Sequence, residues 1–148
     1  MSDGTVRIEL ATAAELGPLY STETDVVARV RRNAILADSV AKGGCYLVRA
    51  ADARIAGYIT WDFGFFNRPF VRLLAVDPAY RRIGFGAALL ARVEETAAPY
   101  GELFVSTEER NAPMRALLAR AAYDAAGAID RLNEPGNLEL VYHKRLET

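Results

Sequence analysis

The chain is poor in the residues on which many small-site chemistries depend. Cys45 is the single cysteine among 148 residues, which excludes an internal disulfide and any cysteine-rich metal site. It stands in the apolar run Cys45-Tyr46-Leu47-Val48 and reads as a small buried hydrophobe, not a nucleophile. His143 is the single histidine. Without a histidine partner it is a poor metal ligand, and a structural or surface role is expected. An excess of charge is also missing. The formal charge is −1, so no basic field draws the chain to nucleic acid. No apolar run approaches the length of a membrane span. The opening Met1-Ser2-Asp3-Gly4-Thr5 is polar and acidic, unlike a secretory signal. There is no internal repeat, low-complexity tract or linker. These absences lead to the expectation of a metal-free, cytoplasmic protein with neither nucleic-acid nor membrane partners, built as one domain over residues 1–148.

What is present is enough for a packed core, with 51% hydrophobic and 25% charged residues. The most informative stretch runs from Phe70 to Leu90. Phe70 to Val76 is apolar and reads as a buried strand. Asp77-Pro78 stops it, because proline has no N–H for a sheet ladder and biases the preceding residue away from helix. A helix follows, with Leu89, Leu90, Val93 and Ala97 at near-helical spacing and Pro99 as its stop. Between strand and helix lies Arg81-Arg82-Ile83-Gly84-Phe85-Gly86. Glycines let the backbone approach a ligand closely, and free N–H groups at a helix start attract anions. With two arginines beside it, this corner suits a pyrophosphate. The bland alternative is a tight glycine corner with two solvated arginines. Other phosphate loops fit less well. A dinucleotide fingerprint wants Gly or Ala where Leu89 stands, and the Gly-Lys-Ser/Thr of a P-loop is absent.

The rest of the chain can be read in order. Val6 to Leu10 alternates apolar and charged residues, as a half-exposed strand does. Ala11 to Leu16 starts a short helix with Thr12 as N-cap, and Gly17-Pro18 is expected to break it or end it early. Tyr20 to Asp25 reads as a loop and helix start. The next helix carries Val26, Val30, Ala34, Ala37 and Val40 on one face and closes at Lys42-Gly43-Gly44. Cys45–Ala50 and Ile55–Trp61 form a hairpin about the turn at 51–54. The aromatic stretch Phe63 to Phe70, with turn residues at its middle, reads as a connector from this hairpin to the central strand. Leu103–Thr107 is a strand parallel to the central one, since a helix joins them. A helix then runs from Asn111 to Arg120, with Asn111 as cap, Pro113 in the first turn, and Met114, Leu117, Leu118 and Ala121 as its apolar face. Tyr123–Ile129 and Leu138–His143 are the last strands, with a turn-rich segment at 133–137 between them.

Arg81-x-x-Gly84-x-Gly86, following Leu74-Ala75-Val76-Asp77-Pro78, resembles the acyl-CoA signature of GNAT-type N-acetyltransferases. The element order β-α-α-β-β-β-α-β-α-β-β is similar to theirs over nearly the whole chain. The resemblance implies an α/β (α+β) fold with a mixed, mostly antiparallel central sheet flanked by helices. It implies acetyl transfer from acetyl-CoA, as cosubstrate, to the amine of a small molecule or peptide by direct attack, without metal. The cofactor-binding residues it implies are Leu74, Ala75, Val76, Arg81, Arg82, Ile83, Gly84, Phe85, Gly86 and Asn111. In the family the pantetheine arm bonds the main chain of the central strand as an added strand would. A backbone N–H there can hold the thioester oxygen.

The departures from the family pattern concern catalysis. Leu117-Leu118 stands where many members have Leu-Tyr, so the usual proton donor to the thiolate is missing, and Ala122-Tyr123 stands for Gly-Phe. Phe70 occupies the place of a glutamate base found in histone-type members. No catalytic residue is assigned. Asp62, Glu108 and Glu109 read first as solvated carboxylates or caps, and Tyr123 and Tyr142 as core or rim. The acceptor would be framed by Tyr20 to Asp25, Phe63 to Phe70 and the last hairpin. Glu23 and Asp25 read first as favouring the following helix start. Phe63, Phe65, Phe66 and Phe70 suggest a recognition wall or a homodimer contact. The alternative to an enzyme is a coenzyme A-binding sensor or partner module with little turnover.

Overall fold

The computed structural model describes residues 6–20 and 24–147. Among these, four helices flank a seven-stranded sheet. The strands are β1 (Arg7–Leu10), β2 (Cys45–Arg49), β3 (Ile55–Phe65), β4 (Arg68–Val76), β5 (Glu102–Glu108), β6 (Asp124–Ile129) and β7 (Glu139–Arg145). The helices are α1 (Leu16–Leu19), α2 (Val26–Ala41), α3 (Phe85–Ala97) and α4 (Ala112–Arg120). The strand order is β1-β2-β3-β4-β5-β7-β6. β4 and β5 run parallel, with Phe70 opposite Phe104 and Val71 opposite Val105, as expected for strands joined through a helix. The pairs β1/β2, β2/β3, β5/β7 and β6/β7 are antiparallel. This is the α+β arrangement that the resemblance implies. Among the described residues, no helix is long and apolar enough to cross a membrane.

The chain divides into two compact units, Met1–Trp61 with Leu73–Arg92, and Asp62–Arg72 with Val93–Thr148. In the first, Ala11, Leu19, Leu36, Cys45, Leu47 and Tyr58 form the core, with Val40, Ile55, Leu73 and Ala75 packed against it. Each fully buried Leu of this kind contributes about 1.5–3 kcal/mol over an exposed one. In the second, Val71, Val93, Ala97, Leu103, Val105, Leu118, Tyr123 and Val141 are buried.

Two expectations are corrected and a third is narrowed. Gly17-Pro18 does not break the helix but ends it early: a 3-10 turn at Ala13–Glu15 leads into α1, which contains both residues and stops at Leu19. Pro18 lies in the first turn of α1, where its missing N–H costs nothing. Thr12 does begin this segment: Glu15 accepts from the Thr12 main-chain N–H at 2.7 Å and from its hydroxyl at 2.9 Å.

The face of α2 is rotated from the expected one. Val26, Val27 and Val30 are exposed, as is Ala34, whereas Leu36 and Ser39 are buried and Val40 packs on the core. Apolar residues lie on both sides of this helix, and its contacts select the side carrying the larger Leu36.

The stretch Phe63 to Phe70 is not a connector. β3 continues to Phe65 and β4 begins at Arg68. The two residues between them, Phe66 and Asn67, have φ of +53° and +60°, the left-handed pair of a type I′ hairpin turn. Phe65 stacks on Phe70 at 5.1 Å between ring centres and lies 5.1 Å from Phe104.

Candidate active site

The glycine corner lies wholly in the first unit. β4 ends beside β3 in close main-chain contact. A methyl group on Gly57 would sit 2.6 Å from the Ala75 carbonyl oxygen, so glycine is required there. The Asp77 N–H donates to Ala56 O at 2.8 Å. Leu74, Ala75 and Val76 are half-buried. Asp77 then turns the chain. Its carboxylate accepts from the Ala79 N–H at 2.9 Å, opening a 3-10 turn at Pro78–Tyr80.

Arg81 follows in extended conformation and its Nε donates to Val76 O at 3.4 Å. Arg82 has φ +66° and Gly84 φ +97°. Nothing lies within 4 Å of where a Gly84 Cβ would be, so backbone conformation, not space, demands glycine there. Gly84 O accepts the N–H of Ala88 at 3.0 Å. The N–H groups of Phe85, Gly86 and Ala87 therefore precede the first hydrogen bond of α3. Arg81, Arg82, Ile83 and Gly84 are exposed around them, while Phe85 is buried with Leu89 and Leu90 behind it. This is an exposed, positively charged helix start, and it suits a phosphate group.

In the second unit, Asn111 caps α4, its Oδ1 accepting from the Met114 N–H at 3.1 Å. Its own main-chain N–H donates to Glu108 O at 2.9 Å. Leu118 has no exposed surface at all. A phenol at this place would have to enter closed core. Leu118, placed by helical spacing on the apolar face of α4, is thus core and not the lining of an open slot.

Asp62, Asp25, Glu108 and Tyr123 are engaged in structural work. Asp62 accepts from the Gly64 N–H at 2.6 Å and pairs with Arg72 at 3.5 Å. Asp25 caps α2 through the Ala28 N–H at 3.1 Å, while Glu23 lies outside the described residues. Glu108 accepts from Asn137 Nδ2 at 2.7 Å. The Tyr123 hydroxyl donates to Glu94 at 2.7 Å. Burial first, and then Glu94, push its pKa far up, so Tyr123 keeps its proton. Cys45 is fully buried, and burial pushes its thiol up to about 12, which agrees with an inert core residue. His143 lies 3.1 Å from Glu102 Oε1 and packs on the Phe104 ring at 4.7 Å between centres, a structural role as expected.

One residue escaped the sequence reading. Asn137, only 2% exposed, stands inside a turn-rich segment, and no local pattern distinguishes a buried asparagine from a solvated one.

Residues 12–123 match the Acetyltransferase (GNAT) family. The chain belongs to the acetyltransferase (GNAT) family. A GNAT family acetyltransferase from Bacillus cereus is similar to it at 25% identity, with a TM-score of 0.84 over 97% of this chain and 99% of that one. The ribosomal-protein-S18-alanine N-acetyltransferase of Escherichia coli shares the fold at 16% identity, with a TM-score of 0.79 over 97% and 96% of the two chains. A protein assigned as a streptothricin acetyltransferase from Bacillus anthracis, solved in complex with acetyl coenzyme A, has a TM-score of 0.62 at 17% identity over 69% of this chain and 61% of its own. No curated protein sequence matches the chain. This GNAT protein is accordingly an acetyl-CoA-dependent N-acetyltransferase, and enzymes of the family act on amine acceptors.

Proposed function

We propose that this enzyme, acting as one domain over residues 1–148, transfers acetyl from acetyl-CoA to the amine of a small molecule or peptide by direct attack. The observation that carries this reading is the corner at Arg81–Gly86, where Gly84 at φ +97° presents a bare helix start to solvent beside two arginines. The pyrophosphate of coenzyme A is the anion that this corner suits. Leu74, Ala75 and Val76 would offer main-chain groups to the pantetheine arm, and Asn111 its amide. Solved relatives include one that holds acetyl coenzyme A and one that acts on a protein alanine, which supports the cosubstrate and an amine acceptor alike.

The chemistry follows from ordinary pKa values. A primary amine such as that of lysine, whose unperturbed pKa is about 10.4, is protonated at neutral pH and must lose a proton before it attacks. Asp62 and Glu108 are held by N–H donors, so water, or the acceptor's own environment, takes that proton. A main-chain N–H at the end of β4 would stabilise the oxyanion. The thiol leaves readily, since a pKa of about 8.5 makes the thiolate accessible, so turnover does not require the tyrosine that Leu118 replaces.

The test is calorimetry with acetyl-CoA on the wild type and on Gly86→Glu, followed by thiol release across a panel of amines. A carboxylate at the helix start opposes a phosphate, so Gly86→Glu should weaken binding by well over about tenfold, or more than about 1.4 kcal/mol, with an unchanged circular dichroism spectrum. Wild-type protein that does not bind at millimolar ligand would overturn the proposal. Binding without thiol release from any amine would identify a coenzyme A-binding module instead.

A further inference from the structure

The turn between β5 and α4 carries Asn111, and it is held from one side by the loop between β6 and β7. Two consecutive main-chain N–H groups of the turn donate into that loop. Glu109 N–H reaches Leu138 O at 2.8 Å, and Arg110 N–H reaches Asn137 Oδ1 at 3.2 Å. Asn137 uses its other end as well. Its Nδ2 donates to Glu108 at 2.7 Å and to Glu134 at 3.1 Å, and Glu134 in turn pairs with Arg110. Its main-chain N–H closes the loop on Glu134 O at 3.1 Å. This amide is 2% exposed, and its oxygen and nitrogen both serve residues within three positions of Asn111. A buried amide so fully used specifies one geometry, because leaving any of these partners unpaired costs more than the bond itself contributes.

We propose that Asn137 is a positioning residue for acetyl-CoA: it fixes the turn at 108–111, and through it the direction in which Asn111 presents its amide. The inference rests on the reading that Asn111 meets the pantetheine arm. It adds that the loop at 130–138, which the sequence shows only as turn-rich, contributes to cosubstrate binding without touching the cosubstrate. Asn111 itself cannot hold this pose unaided. Its Oδ1 is committed to the helix cap, so the direction of its remaining amide nitrogen follows the backbone of the turn.

The experiment uses two ligands, acetyl-CoA and 3′-phosphoadenosine 5′-diphosphate. The second is the nucleotide half alone and lacks the pantetheine arm. Binding is measured by calorimetry on the full chain as wild type, Asn111→Ala, Asn137→Ala and the double variant. Asn137→Ala should weaken acetyl-CoA about threefold to tenfold, the effect of one misplaced hydrogen bond, and leave the nucleotide half unchanged. In the Asn111→Ala background it should have no further effect, because the residue through which it acts is gone. In turnover, KM for acetyl-CoA should rise while kcat stays within about twofold, as for loss of binding made equally in ground and transition states.

Asn137→Gln keeps both an amide oxygen and an amide nitrogen and adds no charge beside Glu108 and Glu134. It should lose less affinity than Asn137→Ala, and it carries the test if the alanine variant does not fold. Equal weakening of both ligands, or effects of the two substitutions that multiply, would overturn the inference and leave the proposed function standing. A wild type that binds neither ligand would overturn both.

Discussion

Ala122 is held in a conformation that its side chain resists. Its φ is +69° at the residue just past the end of α4. Tyr123 N–H donates to Leu118 O at 2.9 Å and Ala122 N–H to Ala119 O at 3.1 Å, the paired bonds of a Schellman cap. Glycine is the usual residue there, since a Cβ in left-handed conformation costs roughly 1–2 kcal/mol. The GNAT pattern has glycine at this place, and alanine was visible in the sequence as a departure without a stated consequence. The structure supplies the consequence. Ala122→Gly should relieve the strain and lose part of the gain to the greater freedom of glycine in the unfolded chain. A net gain of about 0.5–1 kcal/mol is expected, read as a rise of about 1–4 °C in Tm. A lower Tm would show that the cap is not strained. Leu118, two residues before the end of α4, teaches the complementary lesson. Its place on an apolar face followed from helical spacing, but whether that face met a ligand or closed core depended on residues far away in sequence.

Among the elements, the β3–β4 hairpin is where local rules misled most. Its turn, Phe66-Asn67, lacks the Asn-Gly or Asp-Gly that would mark a two-residue turn. Both residues adopt positive φ, and Phe66 leaves 83% of its surface exposed. A bulky aromatic in this region is unfavourable, so packing of Phe65 against Phe70 and Phe104, not the turn itself, sets the register. Replacing Phe66-Asn67 by Asn-Gly should therefore stabilise the protein by about 1 kcal/mol, the scale of one relieved left-handed residue, as a higher urea midpoint at unchanged slope. Loss of stability would mean that the Phe66 edge contact on Phe65, 5.0 Å between ring centres, outweighs the strain. α2 misled for another reason. Helical periodicity says that a stripe exists, but a helix with valines on one side and Leu36 on the other carries two candidate stripes.

For the molecule as a whole, acid is the condition that tests its charge arrangement. Burial acts to raise the pKa of Glu102, but hydrogen bonds from His143 and Arg68, and the charge of Arg68, outweigh it and hold the carboxyl below its ordinary value. Glu134 is lowered chiefly by a main-chain hydrogen bond, with Asn137 and Arg110 adding to it. Glu15 is lowered by the N–H and hydroxyl of Thr12. A carboxyl whose folded pKa is depressed contributes stability that is fully present above its unfolded pKa, about 4.3 for glutamate, and lost as pH falls through the folded value. Stability should thus be flat near neutrality and fall on acidification below that range. Arg68→Ala should lower the urea midpoint near neutrality and leave it almost unchanged in strong acid, where Glu102 is protonated in both states. Equal losses at both extremes would assign Arg68 to packing through its stem. Much of this GNAT enzyme was legible in residue order, because its informative features are local: strand and helix periodicity, the Asn111 cap, the Asp77-Pro78 stop, and a corner whose glycine serves a backbone conformation. These sufficed for the element order, and the family resemblance that the corner carries implied the α+β class. Long-range packing settled the rest. Which side of α2 is buried, that Phe65 and Phe70 face each other across a hairpin, that Leu118 is closed core, and that Asn137 bonds the turn before α4 all depend on contacts between residues distant in the chain, and a side chain's burial is set by those neighbours rather than by its own identity.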